Sequence, residues 1–193
     1  MNLFSVDKRN NVRENMLEEG FLLLKEGGLK AINIDYITRQ CGISKGSFYS
    51  FFETKAEFVY AIMMHKRNQA KQKLQEYLHE GKLSFDDLYQ YLLWLAKSDL
   101  DIFSHLSEKE QNELKQLWPE SYFNNDANNI STVSLVISHI AHPRKDADML
   151  LFANAMKLVA LAKAEKRVFS EAAFDKMIET LIRLACECVS LTS

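Results

Sequence analysis

The fold of the N-terminal part is decided by one stretch of sequence, Cys41-Gly42-Ile43-Ser44-Lys45-Gly46-Ser47-Phe48-Tyr49. Gly42 can adopt a positive φ and so can end a short helix that begins after Asn33. Ser44 can cap the short helix that follows. Two short helices joined by a tight turn that contains glycine form a helix-turn-helix, whose second helix is available for the major groove of DNA.

The segments on both sides of this stretch also have helical patterns. A helix is predicted from about Arg9 to Glu26, with Gly27-Gly28 as its stop, and Thr54 is expected to cap a long helix that reaches about His79. Val133 to Ile140 also follows helical spacing, which favours a helix there over a strand. Further helix starts are expected at Ser84 (reaching about Phe103), Ser107, Asp146 or Pro143 (reaching about Glu165), and Ser170 (reaching about Leu191).

The composition of the chain is that of an ordinary folded protein. Its 193 residues are 47% hydrophobic and 26% charged, and only two prolines and six glycines interrupt the helical patterns. The sequence therefore predicts an all-α fold of about nine helices. It divides into a helix-turn-helix domain over 1–55 and a helical domain over 56–193.

The charge and the functional groups exclude several classes of protein. Lys plus Arg is 24 and Asp plus Glu is 26, so a net charge of -2 gives no general attraction to nucleic acid or membrane. Without a signal core or a long apolar run, the chain is expected in the cytoplasm. Cys41 stands alone, and Cys186 and Cys188, two apart on a predicted helix, are interpreted as small buried hydrophobes rather than a disulfide or metal pair. No nucleophile, phosphate loop or acid pair favours an enzyme, and no cofactor or metal is expected.

The N-terminal residues resemble the DNA-binding domain of the TetR family of bacterial transcriptional regulators. The resemblance covers residues 9 to about 60 without a gap, and its most specific part is the stretch quoted above, followed by Phe52 and Lys55. The other matching positions are Met16-Leu17-x-x-Gly20-Phe21-x-Leu23-Leu24-x-x-x-Gly28 and Ile34-x-x-Ile37. The sequence departs from the family at Gly20, Leu24 and Thr38, where alanine, phenylalanine and alanine are usual.

The resemblance and the side-chain chemistry together predict the DNA contacts. Lys45 is the clearest electrostatic contact, against the alternative of a solvated lysine, and the Tyr49 phenol can donate to a phosphate unless it is a core residue. Phe48 and Phe52 are interpreted as core. Lys8 and Arg9 form either an arm for the minor groove or an untethered tail. The candidate DNA contacts are Thr38, Arg39, Ser44, Lys45, Gly46, Ser47, Tyr49 and Lys55.

The last two predicted helices are candidates for a dimer interface. The final helix has a nearly unbroken apolar stripe, and the helix before it is apolar almost all round, so it must be covered on two sides. The resemblance implies that both form a four-helix interface between two subunits; the alternative is burial within one subunit. The candidate interface residues are Leu151, Ala155, Leu158, Ala162, Phe174, Met177, Ile178, Leu181, Ile182 and Ala185.

The resemblance also implies a small-molecule pocket among the middle helices. Its candidate residues are mostly aromatic and so fit an apolar or aromatic effector, although such residues are more often ordinary core. His139, His142 and Asp146 are disfavoured as a metal site, since no further ligand pair supports them. The candidate pocket residues are Tyr89, Trp94, Phe103, His105, Trp118, Tyr122, Phe123 and His139.

The patterns leave a leading function and one main alternative, and a third, an enzyme or metal-dependent sensor, would require bound metal in the purified protein. The leading hypothesis is a homodimeric regulator, a repressor, whose two recognition helices bind a pseudo-palindromic operator until an effector changes their separation. The alternative is a helical adaptor that recruits another protein, with DNA as a scaffold. A large exposed apolar patch away from the last two helices would favour the adaptor.

Overall fold

The computed structural model describes residues 3–118 and 135–191, apart from the side chains of residues 3–5 and 103. Within these ranges the chain contains eight α-helices, two 3-10 helices and a helical segment at 135–138. Backbone pairing other than helical bonding is limited there to isolated residue pairs such as Leu83 with Ile140. The predicted all-α class is confirmed.

The helices are numbered here in chain order. They are α1 (Leu3–Ala31), α2 (Ile34–Gln40), α3 (Lys45–Tyr49), α4 (Lys55–Glu76), α5 (Phe85–Lys97), α6 (Glu108–Leu117), α7 (Met149–Ala164) and α8 (Glu171–Val189), with 3-10 helices at Ile102–His105 and Lys166–Val168. None of the described helices is both long and apolar enough to span a bilayer.

The described residues form two compact units. Residues 3–68 and 101–118 form the first unit, and residues 69–100 and 135–191 form the second. The first unit therefore contains the helix-turn-helix, the first part of α4 and the later helix α6. It includes the described part of the predicted domain 1–55 and extends beyond it.

Short polar side chains begin most of the helices, as the sequence predicted. Asn33 Oδ1 accepts a hydrogen bond from Tyr36 N at 3.1 Å, and Thr54 Oγ1 accepts one from Glu57 N at 3.0 Å. Ser84 and Ser107 each form a reciprocal capping box with the acid three residues later. Such caps satisfy amides that the first helical turn leaves unpaired, so they fix where each helix begins.

Helix α1 confirms its predicted stop but begins earlier than predicted. Its backbone leaves helical geometry at Gly27 and Gly28, where Gly28 has a φ of 66°, a conformation that favours glycine. The helix begins at Leu3 rather than near Arg9. Residues 3–8 contain neither proline nor glycine and so continue the helix, although they lack the periodic apolar pattern by which its start was predicted.

Helix α7 begins at neither of the two predicted positions. Its cap is Asp148, whose Oδ1 accepts a hydrogen bond from Leu151 N at 2.9 Å. Asp146 instead binds the guanidinium of Arg144 at 2.8 and 3.0 Å, and Pro143 pairs with Ser190 beyond the end of α8. Both predicted starts are therefore occupied by other contacts.

Each unit has its own apolar core. In the first unit three buried rings meet: the centroid of Phe58 lies 5.1 Å from that of Phe48 and 4.9 Å from that of Phe52. In the second unit α8 packs against both α5 and α7. Its core includes Leu88, Ile182, Ala185 and Val189, which are fully buried.

Candidate nucleic-acid interface

Helix α3 presents one face to the core and the other to solvent. Phe48 is fully buried, whereas the next residue, Tyr49, keeps 46% of its surface exposed. The turn before α3 is held by a hydrogen bond of 2.9 Å from Ile43 N to Thr38 O, and Gly42 has a φ of 64°. This geometry is the predicted helix-turn-helix, with a short second helix whose polar side faces outward.

The polar side of α3 is formed by adjacent small and charged residues. Ser44 Oγ accepts a hydrogen bond from Ser47 N at 3.1 Å and lies 2.9 Å from Ser47 Oγ. Lys45, Gly46 and Tyr49 are exposed beside them. The structure thus brings five of the predicted DNA contacts to one exposed helix face. Their contacts with DNA stay predictions.

Lys45 has a partner that the sequence analysis missed. Its Nζ lies 3.0 Å from Asp35 Oδ1 and 3.2 Å from Asp35 Oδ2, and both side chains are more than half exposed. The hydrogen bond to Asp35 raises the pKa of Lys45. An acid in the first turn of a helix is ordinarily explained by the helix dipole. Its position in α2, ten residues before Lys45, is therefore no distinctive signal.

Thr38 does not lie on the exposed face, which corrects its assignment as a DNA contact. Its side chain is only 5% exposed, and its Oγ1 donates to Asp35 O at 3.2 Å. Thr38 follows the buried Ile37 and packs on the inner side of α2. Arg39, by contrast, is exposed in the last turn of α2, and its contact with DNA stays a prediction.

The ammonium of Lys55 is bound within the first unit. Its Nζ donates to Leu29 O, near the end of α1. Burial lowers the pKa of Lys55, and the nearby charge of Glu110 partly opposes that shift. A phosphate contact by Lys55 stays a prediction, and it requires the ammonium to exchange one oxygen partner for another.

Arg9 contradicts both interpretations of the basic N-terminal residues. Lys8 and Arg9 lie within α1, so they form neither an extended arm nor an untethered tail. The Arg9 Nη2 atom donates to Ser50 O at 3.3 Å, and its Cζ lies 4.6 Å from the centroid of the Phe51 ring. Arg9 therefore stabilises the end of α3, where a cation near the last carbonyls is favourable.

A groove of roughly 480 Å³ in the first unit is lined by residues of α1, α4 and α6. Beside it, Glu110 of α6 binds the end of α1. Glu110 accepts hydrogen bonds from Leu29 N at 2.8 Å and from Ser107 N at 2.9 Å. The hydrogen bond from the Ser107 hydroxyl, followed by those from backbone amides, lowers the pKa of Glu110. At Gly28 an added Cβ would lie 2.7 Å from Glu110 Oε1, so only glycine permits this approach.

Replacing Glu110 with glutamine is expected to destabilise the protein by about 0.5–1 kcal/mol at pH 7, since a charged acceptor of amide hydrogen bonds is lost from a half-buried site. The pKa of Glu110 is lower in the folded protein than its usual value of 4.5, so ionised Glu110 stabilises the fold at pH values above 4.5. That contribution is lost as the pH falls through the lower folded-state pKa. Urea unfolding of both proteins from pH 7 to pH 3 measures the difference.

The control for this prediction is Glu113→Gln, one turn further along α6 on an exposed residue. It removes the same charge without removing the hydrogen bonds to Leu29 and Ser107. A difference between wild type and Glu110→Gln that stays constant down to pH 3 would contradict the assigned role of the carboxylate.

The predicted pocket residues are divided between the two units. His105 and Trp118 belong to the first: the His105 ring lies 6.0 Å from that of Phe21, and Trp118 Nε1 donates to Ala56 O at 2.8 Å. These two therefore pack against the helices of the DNA-binding part. The second unit contains Tyr89, Trp94 and His139. The side chain of Phe103, and all of Tyr122 and Phe123, lie outside the described residues.

His139 is occupied by a backbone contact. Its Nδ1 lies 2.9 Å from Gly81 O. Within residues 3–118 and 135–191, no group of three or more histidine, cysteine, aspartate or glutamate side chains is arranged to hold a metal ion.

Half of the predicted interface residues are core residues of the second unit, which corrects that part of the prediction. They keep at most 7% of their surface exposed, because they fill the contact between α7, α8 and α5. These residues are Ala162, Phe174, Ile178, Ile182 and Ala185. Leu151 and Leu158 are exposed, and Ala155, Met177 and Leu181 are half-buried. The exposed apolar face also includes residues that were not predicted, namely Leu150, Leu161, Phe169 and Leu184.

Comparison with known proteins agrees with this geometry. Residues 17–62 match the family model described as bacterial regulatory proteins, tetR family. No curated protein matches the chain significantly in sequence.

Solved structures match over nearly the whole chain. The reduced form of NemR from E. coli is 17% identical and covers 94% of this chain and 99% of its own, with a TM-score of 0.63. A TetR family protein from Vibrio parahaemolyticus, described as a transcriptional regulator, is 16% identical over 93% of this chain and 99% of its own, with a TM-score of 0.57. A transcriptional regulator from Rhodococcus sp. Rha1 is 14% identical over 94% and 99%, with a TM-score of 0.57.

The matched residues include the turn at Gly42, the cap at Ser44 and the exposed face of α3. Local geometry, family model and overall fold therefore lead to the same conclusion. Residues 17–62 match the tetR family model over the helix-turn-helix, and the chain shares its fold with these solved structures, among them a TetR family protein.

Proposed function

We propose that this chain is a homodimeric repressor that binds a pseudo-palindromic operator and releases it when a small-molecule effector binds. The observation that carries this proposal is the exposed polar face of α3, which is anchored by the buried Phe48. A short helix held rigidly from behind can enter a major groove with its N-terminal residues toward the base edges.

Two copies of α3 are needed for a specific site. A helix of five residues reaches only a few base pairs, so one copy gives little sequence discrimination. A two-fold dimer places two such helices in successive major grooves, about 34 Å apart along the duplex. The exposed apolar face of α7 and α8 supports such a dimer, because monomeric proteins rarely leave large apolar patches in water.

Selection of duplexes from a random DNA library with the purified chain tests the proposal. Enrichment of an inverted repeat with half-site centres about one helical turn apart is the expected result. Folded protein that enriches no sequence at low salt would contradict it.

Replacing Lys45 with alanine is expected to lower affinity for the selected operator about three- to tenfold, because a charge-assisted contact is lost from each half-site. The slope of log affinity against log salt should also become shallower by about 1.8 per dimer. Each of the two lysine–phosphate contacts that are lost would have released about 0.9 counterion from the DNA. A filter-binding or fluorescence titration at several salt concentrations gives both quantities.

Lys97→Ala is a matched control for Lys45→Ala. Lys97 is similarly exposed, and its Nζ lies 3.7 Å from Glu179 Oε1, so it too is a surface lysine with an acidic partner. It belongs to the second unit and should leave the operator affinity and the salt slope unchanged. Equal effects of the two substitutions would argue against a specific contact by Lys45.

The effector is proposed to bind the second unit and to be apolar or aromatic. Supporting this, two aromatic side chains of α5 cluster there with Tyr77, the residue that follows α4: the ring centroid of Tyr91 lies 5.8 Å from that of Tyr77 and 6.2 Å from that of Trp94. Release of the fluorescent operator in a compound screen tests this part. The adaptor function gains no comparable support, because most of the large apolar residues known to be exposed lie on α7, α8 and their connection.

A further inference from the structure

An acidic side chain lies on the face of the helix-turn-helix that is proposed to meet DNA. Asp35 is the second residue of α2, its side chain is 64% exposed, and its carboxylate touches Lys45 in the first turn of α3. The same turn of α3 contains the exposed Gly46 and the capping Ser44. Asp35 therefore lies next to the end of α3 from which base edges are read.

A carboxylate in this position opposes binding to the DNA backbone. Phosphates attract Lys45, but a move of Lys45 to a phosphate leaves Asp35 unpaired beside the same negative charges. An exposed ion pair is weak, so the pair with Asp35 does not prevent Lys45 from moving to a phosphate. The repulsion between Asp35 and the phosphates, however, offsets most of the affinity that this new contact adds. On arbitrary DNA the two residues should nearly cancel.

A base edge offers Asp35 a different partner. Cytosine N4 and adenine N6 are amino donors in the major groove, and a carboxylate can accept from them. A site with such a base at the right position can satisfy Asp35 while Lys45 binds a phosphate or a guanine. No phosphate can do this, because phosphate oxygens are acceptors only.

We propose that Asp35 is a specificity-determining residue that accepts a hydrogen bond from the amino group of one base in each operator half-site and weakens binding to all other DNA. This inference rests on the proposed function. Asp35 would then act mainly on which DNA sequence the protein selects, and less on how tightly it binds the operator.

The test compares Asp35→Asn with wild type in the random-duplex selection and in titrations of operator and non-operator DNA. Asparagine keeps the shape of the side chain and one acceptor oxygen, but it removes the charge and replaces the other acceptor with an amide donor. Affinity for non-operator DNA is expected to rise about two- to fivefold. The ratio of operator to non-operator affinity is expected to fall about fivefold for each half-site, with a changed preference at one base pair.

Asp86→Asn is a control with the same change of charge at the same helical position. Asp86 is also the second residue of its helix, α5, and is exposed, but it belongs to the second unit. It should alter neither the ratio nor the selected sequence. Asp35→Ser is a second variant, whose shorter side chain lacks both carboxylate oxygens, and it should lose the preference at that base pair.

Each outcome distinguishes this inference from the proposed function. If wild-type protein selects no duplex, the proposed function fails and this inference fails with it. If wild type selects an operator and Asp35→Ser, which lacks the long acceptor, selects the same sequence or keeps the same affinity ratio, the role of Asp35 is wrong while the proposed function stands.

Discussion

Replacing Phe58 with alanine is expected to lower the free energy of unfolding by about 3–5 kcal/mol, the range for removing a buried aromatic ring from a core. Phe58 is fully buried, and its ring makes edge contacts with Phe48 of α3 and with Phe52. The cavity would therefore open directly behind the recognition helix. Urea unfolding followed by circular dichroism measures the loss.

Gly20 provides a test of this packing in the opposite direction. A Cβ at Gly20 would lie 2.5 Å from Phe58 Cζ and 2.8 Å from Ile62 Cδ1, so Gly20→Ala alone should overpack the core and cost about 1–3 kcal/mol. The higher helix propensity of alanine offsets about 1 kcal/mol of this. In the Phe58→Ala background the ring is gone and the end of the Ile62 side chain can move into the vacated space, so the same methyl group should stabilise the protein.

The change of sign makes the prediction specific. A destabilising Gly20→Ala in both backgrounds would show that the methyl group clashes with something other than the ring. Phe51→Ala is the control for loss of an aromatic side chain, because Phe51 is only half-buried and lies under Arg9 at the surface. The loss of stability in Phe51→Ala should be well below that in Phe58→Ala.

The close approach of Phe58 to Gly20 also explains why this chain has glycine where the family usually has alanine. The Phe58 ring occupies the space that a methyl group would need.

The helix-turn-helix could be predicted from the sequence because its signals are local. The cap of α2 joins Asn33 to an amide three residues later, the cap of α3 does the same from Ser44, and the turn needs one residue with a positive φ. Each of these is decided by neighbours in the chain, so residue type and spacing are sufficient.

The partners of the charged residues could not be predicted in the same way. Lys45 meets Asp35, Lys55 meets Leu29 O, and Glu110 meets the amide of Leu29, which is 81 residues away along the chain. These contacts depend on how the helices pack, and exposed charges allow many pairings of similar energy. Sequence alone therefore identified which groups were available but not which of them meet.

Burial was also ambiguous where a helix is apolar over more than one face. The stripe on α8 includes Ile182 and Ala185, which are fully buried, but Leu184 between them is 52% exposed. Adjacent residues of a helix point about 100° apart, so a stripe this wide contains both core and surface positions. Thr38 was assigned to the DNA contacts on the resemblance alone, and the resemblance does not show which side of the seven-residue helix α2 is buried.

The exposed apolar face of α7 and α8 gives the largest expected effect on function. Leu158 and Leu161 of α7 are 55% and 62% exposed, and they border an apolar depression of roughly 350 Å³ with Phe169, Met177 and Leu181. Leu161→Glu places a charge in the centre of the proposed dimer interface, where it would lose its hydration without a partner. The variant is expected to be monomeric at micromolar concentrations in analytical ultracentrifugation.

Leu117→Glu is the matched control for this substitution. Leu117, at the end of α6, is 67% exposed, so it offers the same change from leucine to glutamate at an equally accessible position of the first unit. It should leave the dimer intact. A Leu161→Glu protein that sediments as a dimer would move the interface away from this face.

Loss of the dimer should reduce affinity for the complete operator by about two orders of magnitude or more, because the second half-site is then no longer bound at a high effective concentration. Affinity for an isolated half-site should be unchanged, since α3 and its anchoring rings belong to the other unit. A titration of wild type and Leu161→Glu against a whole operator and a half-site separates the two effects. If Leu161→Glu weakens binding to the half-site as much as to the whole operator, the substitution has damaged the DNA-binding unit itself; if it weakens only the whole operator, the recognition helix is intact and the dimer supplies the affinity.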